Sequence, residues 1–141
     1  MTEDNLINEK ALSFAVRIHK LCNYLKEKHE YSLADQVLRS GCSIGANLSE
    51  CLFAESTDDY IHKLAIARKE GSETAFWLKL QHQAGLINDA LFLSLKGECD
   101  ELQKMMTATM KTLRKKKEEE QQSKKAVKPT DKTSPPPEEI L

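Results

Sequence analysis

The sequence predicts an all-α protein, an antiparallel up-down-up-down four-helix bundle over residues 1–113 followed by a charged C-terminal extension. Three observations lead there. Apolar residues recur at helical spacing in four separate segments. Gly (5), Pro (4) and aromatics (6%) are scarce while charged residues reach 30%, a profile that suits helices better than strands. The length of 141 residues allows one domain with a tail and not two ordinary cores.

In the first segment Ile7, Ala11, Phe14, Ile18, Leu21 and Leu25 step by 4, 3, 4, 3 and 4, a stripe widened by Leu12, Ala15 and Cys22. His29-Glu30-Tyr31 interrupts it, and Ser32 is the candidate N-cap of the next helix. The second segment runs from about Leu33 to Glu55, with Leu33, Val37, Ile44, Leu48 and Leu52 on its apolar side. Gly41 and Gly45 fall inside it, each costing about 1 kcal/mol relative to Ala, which calls for a close approach of a neighbouring backbone or a kink. Ser56-Thr57-Asp58-Asp59 reads as a cap and an acidic first turn that complements the helix dipole. In the third helix Ile61, Leu64, Ala65, Gly71, Ala75 and Leu78 are expected inward, and Gly85 is expected to end it in a left-handed conformation. Asn88 or Asp89 opens the fourth, whose stripe is Phe92, Leu95, Cys99, Leu102, Met106, Thr109 and Leu113.

Four such helices on short links fold antiparallel. After Leu113 the stripe stops. Residues 114–122, with Arg114-Lys115-Lys116-Lys117 ahead of Glu118-Glu119-Glu120, can prolong the helix into solvent through i,i+4 pairs. Residues 123–141, rich in Lys, Pro and Ser and including Pro135-Pro136-Pro137, are expected to be disordered.

Charge excludes little. The whole chain carries −1; residues 1–113 hold 13 Lys+Arg against 16 Asp+Glu, and residues 114–141 hold 8 against 6, so the basic excess sits in the tail. No stretch approaches the about 20 apolar residues of a membrane span, and the acidic N-terminus lacks the layout of a signal peptide, so a cytoplasmic protein with no membrane partner is expected. Cys22, Cys42, Cys51 and Cys99 form no Cys-x-x-Cys pair and read as buried, reduced thiols on apolar helix faces.

Catalytic constellations are missing. A di-iron bundle needs Glu-x-x-His on two helices, and Asp59-Tyr60-Ile61-His62 is the only carboxylate-x-x-His here, at a helix start. His19, His29 and His82 have no such partner, and Gly41 and Gly45 lie in a helical pattern rather than a phosphate loop. No enzyme activity, metal, cofactor or small-molecule substrate is therefore expected. The informative segment is Arg39–Glu50, where Arg39, Ser43, Asn47 and Glu50 form a polar ribbon along one helix edge. In one reading these groups satisfy Lys69, Glu70 and Glu73 of the third helix in a structural network. In the other, Arg39 with Lys63, Arg68, Lys69 and Lys79 faces RNA, mostly at its phosphates because aromatics near these charges are few. Phe53, Phe76, Trp77 and Leu80 widen the apolar arcs beyond what a lone bundle covers, which predicts contact with a neighbouring subunit; burial of Trp77 in the core is the alternative.

The stretches LRSGCSIGANLSE (Leu38–Glu50), DYIHKLAIARKEGSETAFWLKL (Asp59–Leu80) and SFAVRIHKLCNYL (Ser13–Leu25) resemble the bacterial four-helix bundle proteins encoded in 23S rRNA intervening sequences. The same family includes the accessory variability determinant of diversity-generating retroelements. The resemblance spans about residues 5 to 112 and leaves out the tail. It implies an up-down bundle assembling as a homopentamer with a basic surface, which in the retroelement branch binds nucleic acid and a reverse transcriptase. Arg68 stands where the family usually has an apolar residue and Gly71 where it usually has Ala. The acidic balance of the bundle is also less basic than a retroelement accessory would have, for which the run Arg114, Lys115, Lys116 and Lys117 can compensate. The expected function is a non-enzymatic, homo-oligomeric accessory to RNA and a reverse transcriptase. The rival is a protein–protein scaffold with no nucleic-acid role.

Overall fold

The computed structural model describes residues 2–131, without the side chains of Glu3, Asp4 and residues 126–131. Four helices follow in order, α1 (Glu3–Glu27), α2 (Tyr31–Cys51), α3 (Thr57–Gln83) and α4 (Asp89–Asp131), and no strand occurs among the described residues. Each helix packs on its two neighbours, α1 on α2, α2 on α3, α3 on α4 and α4 back on α1, while the diagonal pairs do not meet. This is the predicted up-down-up-down bundle. The α4–α1 seam is the most open of the four, and the ion pairs Lys10–Glu101 and Arg17–Glu98, both 2.7 Å, bridge it.

The core is built by the stripes. All six α1 residues predicted inward are buried, with Cys22 beside them. In α2, Ala34, Val37, Gly41, Ile44, Leu48 and Cys51 point inward, whereas Leu52 is half exposed because the helix ends at Cys51, short of Glu55. The amides of Leu52, Phe53 and Ala54 bond to carbonyls three residues back, a tightened last turn that closes the helix. The buried line of α3 is Leu64, Ala67, Gly71, Thr74, Leu78 and Gln81. Ile61, Ala65 and Ala75, predicted inward, pack on its flank instead. In α4, Met110 takes the buried place predicted for Thr109.

Caps explain the turns. Ser56 accepts from the Asp59 amide at 3.0 Å, and Asp59 in turn accepts from Glu55 N at 3.1 Å. Gly85 has φ 77, with its amide on His82 O and the Leu86 amide on Gln81 O, the left-handed ending expected. The α1–α2 turn has the same pattern with a histidine. His29, at φ 61, donates to Lys26 O and Glu30 to Leu25 O. α2 therefore starts at Tyr31 with Glu30 at the cap and no side-chain cap bond, and the proposed cap Ser32 lies inside the helix. Asn88 Oδ1 accepts from Leu91 N at 2.8 Å and caps α4.

Glycines set the α1–α2 distance. A Cβ on Gly41 would stand 2.8 Å from Ile18 Cγ2, so the close approach there is to a side chain rather than to a backbone. Gly45 lies over Ala11, whose carbonyl carbon would be 3.7 Å away.

Helix α4 overruns the bundle. It continues through Asp131, past Ser123, where disorder was expected to begin. From Glu118 to Lys125 the residues are Glu, Gln, Ser and Lys, nearly all good helix formers, with Glu120 four residues ahead of Lys124. Absence of an apolar stripe removes packing from such a segment without removing its helix propensity. From Leu113 to Asp131 the helix adds about 27 Å at 1.5 Å per residue. The expectation of disorder for the Pro-rich stretch now concerns residues 132–141, which lie outside the described residues.

Candidate functional site

The α2–α3 seam holds the polar ribbon. Arg39 lies 3.4 Å from Glu70 Oε2 and makes a closer pair with Glu73. One turn inward, Thr74 Oγ1 is 3.0 Å from Ser40 Oγ and 2.8 Å from Glu70 O, both hydroxyl-bearing residues being fully buried. Lower down, Lys63 reaches Glu50 at 2.9 Å. That contact raises the Lys63 pKa, chiefly through the hydrogen bond to Glu50. Ser43 and Asn47 do not cross the seam: Ser43 Oγ donates to Arg39 O at 2.6 Å and Asn47 Nδ2 to Ser43 O at 2.8 Å. Glu50, Glu70 and Glu73 thus tie the seam together, and they occupy the two cations, Arg39 and Lys63, that were candidates for RNA.

The remaining candidates lie elsewhere. On α3, Arg68 and Lys79 sit one residue past the buried Ala67 and Leu78, on the flank facing α4. Two contacts fix that direction. Gln103 Nε2 donates to Arg68 O at 2.9 Å, and the His82 ring stacks on Phe92 at 4.2 Å while its Nε2 meets Asp89 at 2.6 Å. Lys69 lies on the outer surface next to Arg68.

Across the seam, Lys104, Lys111 and Lys115 recur at i, i+7 and i+11 on the exposed side of α4 opposite its buried stripe, with Arg114 beside Lys115. Among the described residues none of Arg68, Lys69, Lys79, Lys104, Lys111, Arg114 or Lys115 has a carboxylate within ion-pair distance, whereas the neighbouring Asp100 is held by Lys96 at 2.7 Å. The α4 row alone spans about 16 Å, and it ends where Glu118–Glu120 begin. Lys117 pairs with Asp58 at the start of α3. Lys116 turns toward the α2–α3 loop, where it lines a hollow with Tyr60 and Leu113.

Lys104 and Lys111 were missed in the sequence. Their signal was the seven-residue spacing on the outer side of the cleanest stripe. The result is one face on which unpaired positive charge accumulates although the bundle is net acidic.

Little else converges. Among the described residues no three or more His, Cys, Asp or Glu side chains come together as a metal-binding group, and no helix is long and apolar enough to cross a membrane. Cys22, Cys42, Cys51 and Cys99 are free thiols; three are buried as expected, whereas Cys42 is only partly buried because it lines the groove between α1 and α2. Burial pushes Cys99 up to about 11, and burial followed by the Cys22 neighbour raises Cys42, so neither is a ready thiolate. A groove of about 520 Å³ between α1 and α2 is lined by Leu12, Ala15, Gly45, Ala46 and Leu52 together with Cys42 and the polar Asn5, Asn8, Glu9 and Ser49. Beside it Leu12 is 67% and Phe53 85% exposed. Of the predicted contact residues, Phe76 is also exposed, while Trp77 and Leu80 are half-buried and Trp77 packs on the core.

Fold and surface together define a helical bundle with a run of unpaired cations on α3–α4 and a groove between α1 and α2. Residues 3–108 match the family of 23S rRNA-intervening sequence proteins, and the chain belongs to that family. It is similar to a solved protein of unknown function from the S23 ribosomal protein family of Bacteroides thetaiotaomicron VPI-5482. The two share 40% identity over 78% of this chain and 99% of that one, with a TM-score of 0.76. No curated protein matches the chain.

Proposed function

We propose that the protein is a non-enzymatic, homo-oligomeric accessory that associates with RNA. The observation that carries this reading is the unpaired cation face on α3–α4, formed by Arg68, Lys69 and Lys79 with Lys104, Lys111, Arg114 and Lys115. Such a surface contacts phosphates and positions a nucleic acid without reading its sequence. Self-association is supported by the exposed Leu12 and Phe53 beside the α1–α2 groove, because apolar area of this kind marks interaction sites. The pentameric size and the reverse-transcriptase partner rest on the resemblance to the retroelement branch.

A salt-dependent gel shift with a structured RNA tests the proposal. Replacing Lys104, Lys111 and Lys115 with Gln is expected to weaken all RNAs alike and to reduce the slope of log affinity against log salt by about 2 to 3. Arg39→Ala is expected to lower stability and leave RNA affinity unchanged, since Arg39 is engaged with Glu70 and Glu73. Absence of binding at low salt, with and without a reverse transcriptase, refutes it.

The α1–α2 groove favours a second reading, a scaffold that holds proteins together with no nucleic-acid role. That reading predicts an oligomeric mass by light scattering together with no RNA shift, and a monomeric mass contradicts both readings.

A further inference from the structure

The outer surface of α3 carries an aromatic ring in the midst of its unpaired cations. Phe76 is 55% exposed. Its ring is not loose: it forms a T-shaped pair with Trp77, with centroids 5.0 Å apart at 71°, and Trp77 packs on the core. Helix geometry places Lys69, seven residues earlier, on the same outward line about 10 Å along the axis, and Lys79, three residues later, about 5 Å the other way. Both lysines are exposed and lack an ion-pair partner among the described residues. The carboxylate one turn before the ring, Glu73, is taken by Arg39.

Other exposed aromatics have different surroundings. Tyr31 bonds to His29 at 2.9 Å, Tyr24 lies under the Lys28 ammonium, and Phe53 adjoins the exposed Leu52.

A ring flanked by undischarged lysines is poorly suited to a two-fold contact with a second copy of the same chain. Such a contact through Phe76 would bring the lysines of one copy against those of the other, and like charges brought together are unfavourable. The complementary partner is anionic and presents a flat apolar face. A nucleobase on a phosphodiester chain has both properties, and it offers that face only when unpaired.

We infer that Phe76 is a stacking platform for an unpaired RNA base, with Lys69 and Lys79 contacting the phosphates on either side. This rests on the RNA reading above and narrows it from phosphate contact in general to RNA with a single-stranded or bulged nucleotide.

The test uses the full chain at low salt with two probes, a single-stranded oligoribonucleotide carrying one 2-aminopurine and a fully paired duplex of equal length. Phe76→Leu keeps an apolar side chain and removes the ring. It is expected to weaken the single strand between about fivefold and about a hundredfold, the range of base–aromatic stacking, and to leave the duplex unchanged. Wild-type protein is expected to quench 2-aminopurine, Phe76→Leu to abolish the quench, and Phe76→Trp to restore it. Three outcomes overturn the inference while the RNA reading stands: equal single-strand affinity in wild type and Phe76→Leu, equal losses for both probes, or a smaller oligomer by light scattering with unchanged single-strand binding. Failure of the wild type to bind either probe overturns both.

Discussion

Gly41 and Gly45 sit one turn apart in α2 and face the same helix, yet the structure assigns opposite signs to their replacement by Ala. In the abstract both changes stabilise, because Ala in a helix interior is better than Gly by about 1 kcal/mol. At Gly45 the nearest neighbour of the new methyl is Ala11 Cβ at 3.5 Å, an ordinary contact, so most of that gain should be realised. At Gly41 the methyl would meet Ile18 Cγ2 at 2.8 Å and Cγ1 at 2.9 Å. Ile18 is fully buried, and its β-branched side chain has little rotamer freedom in a helix. Overpacking of this kind costs about 1 to 3 kcal/mol, which leaves Gly41→Ala destabilising by up to about 2 kcal/mol after the propensity gain.

The two variants should therefore differ by about 1 to 3 kcal/mol, or roughly 4 °C of Tm per kcal/mol in a domain of this size. Urea and thermal unfolding followed by far-UV circular dichroism measure the difference. One fixed protein concentration is needed, since self-association makes Tm concentration-dependent. In an Ile18→Ala background, which removes the obstructing carbons, Gly41→Ala should change sign and stabilise. If Gly41→Ala stabilises the unaltered chain as much as Gly45→Ala does, the close packing of Ile18 on α2 is not what keeps a glycine there.

Two further outcomes follow from single residues. His29 holds a left-handed φ of 61 that glycine adopts freely, so His29→Gly should raise stability by up to about 1 kcal/mol despite losing the exposed bond to Tyr31; a lower urea midpoint would refute this account of the turn. Burial pushes the Cys99 thiol from 9.0 up to about 11, with Asp100 adding to the shift, so above the unfolded pKa the folded state keeps a proton that the unfolded chain releases. The stability contributed by this thiol is intact below about pH 9 and is lost by about pH 11, roughly 2 to 3 kcal/mol in all. The gap between wild type and Cys99→Ala in urea midpoints should narrow over that interval, and a constant gap would contradict it.

How far the sequence could be read depended on whether a residue's role is set by its own helix or by a distant one. The six-residue α1 stripe was legible because every residue in it is apolar at heptad spacing, whereas Leu12, which widened it in sequence, is 67% exposed, so apolar character without the period misplaced it. The α3 line was not, since two of its six buried residues, Thr74 and Gln81, are polar. What admits Thr74 is a partner 34 residues away, Ser40 Oγ. Gln81 has no such sign at all: its amide nitrogen and oxygen are both buried without a bonding partner among the described residues. The α1–α2 turn misled for a related reason. The usual sign of a left-handed ending is Gly, and here a histidine occupies that position, so the better-looking cap, Ser32, drew the boundary two residues late.

Charge shows the same division more sharply. Summed over the bundle it predicts a surface that repels phosphate, and the sum is correct as far as it goes. A phosphate, however, responds to charges within about a Debye length, roughly 8 to 10 Å at physiological salt, and at that range pairing matters more than the total. Glu50, Glu70 and Glu73 act on the α2–α3 seam, where they hold Lys63 and Arg39. Glu98 and Glu101 act on the α1–α4 seam, with Arg17 and Lys10. Five of the bundle's carboxylates are thus engaged in joining helices along two seams, while the α3–α4 face keeps its cations. Lys104 and Lys111 could have been placed on that face from their spacing alone, because their position depends only on α4. That they remain unpaired could not, because it depends on which carboxylates the other helices bring near. An acidic bundle with a basic face is therefore no contradiction: the net charge counts residues, whereas the fold decides which of them a ligand meets.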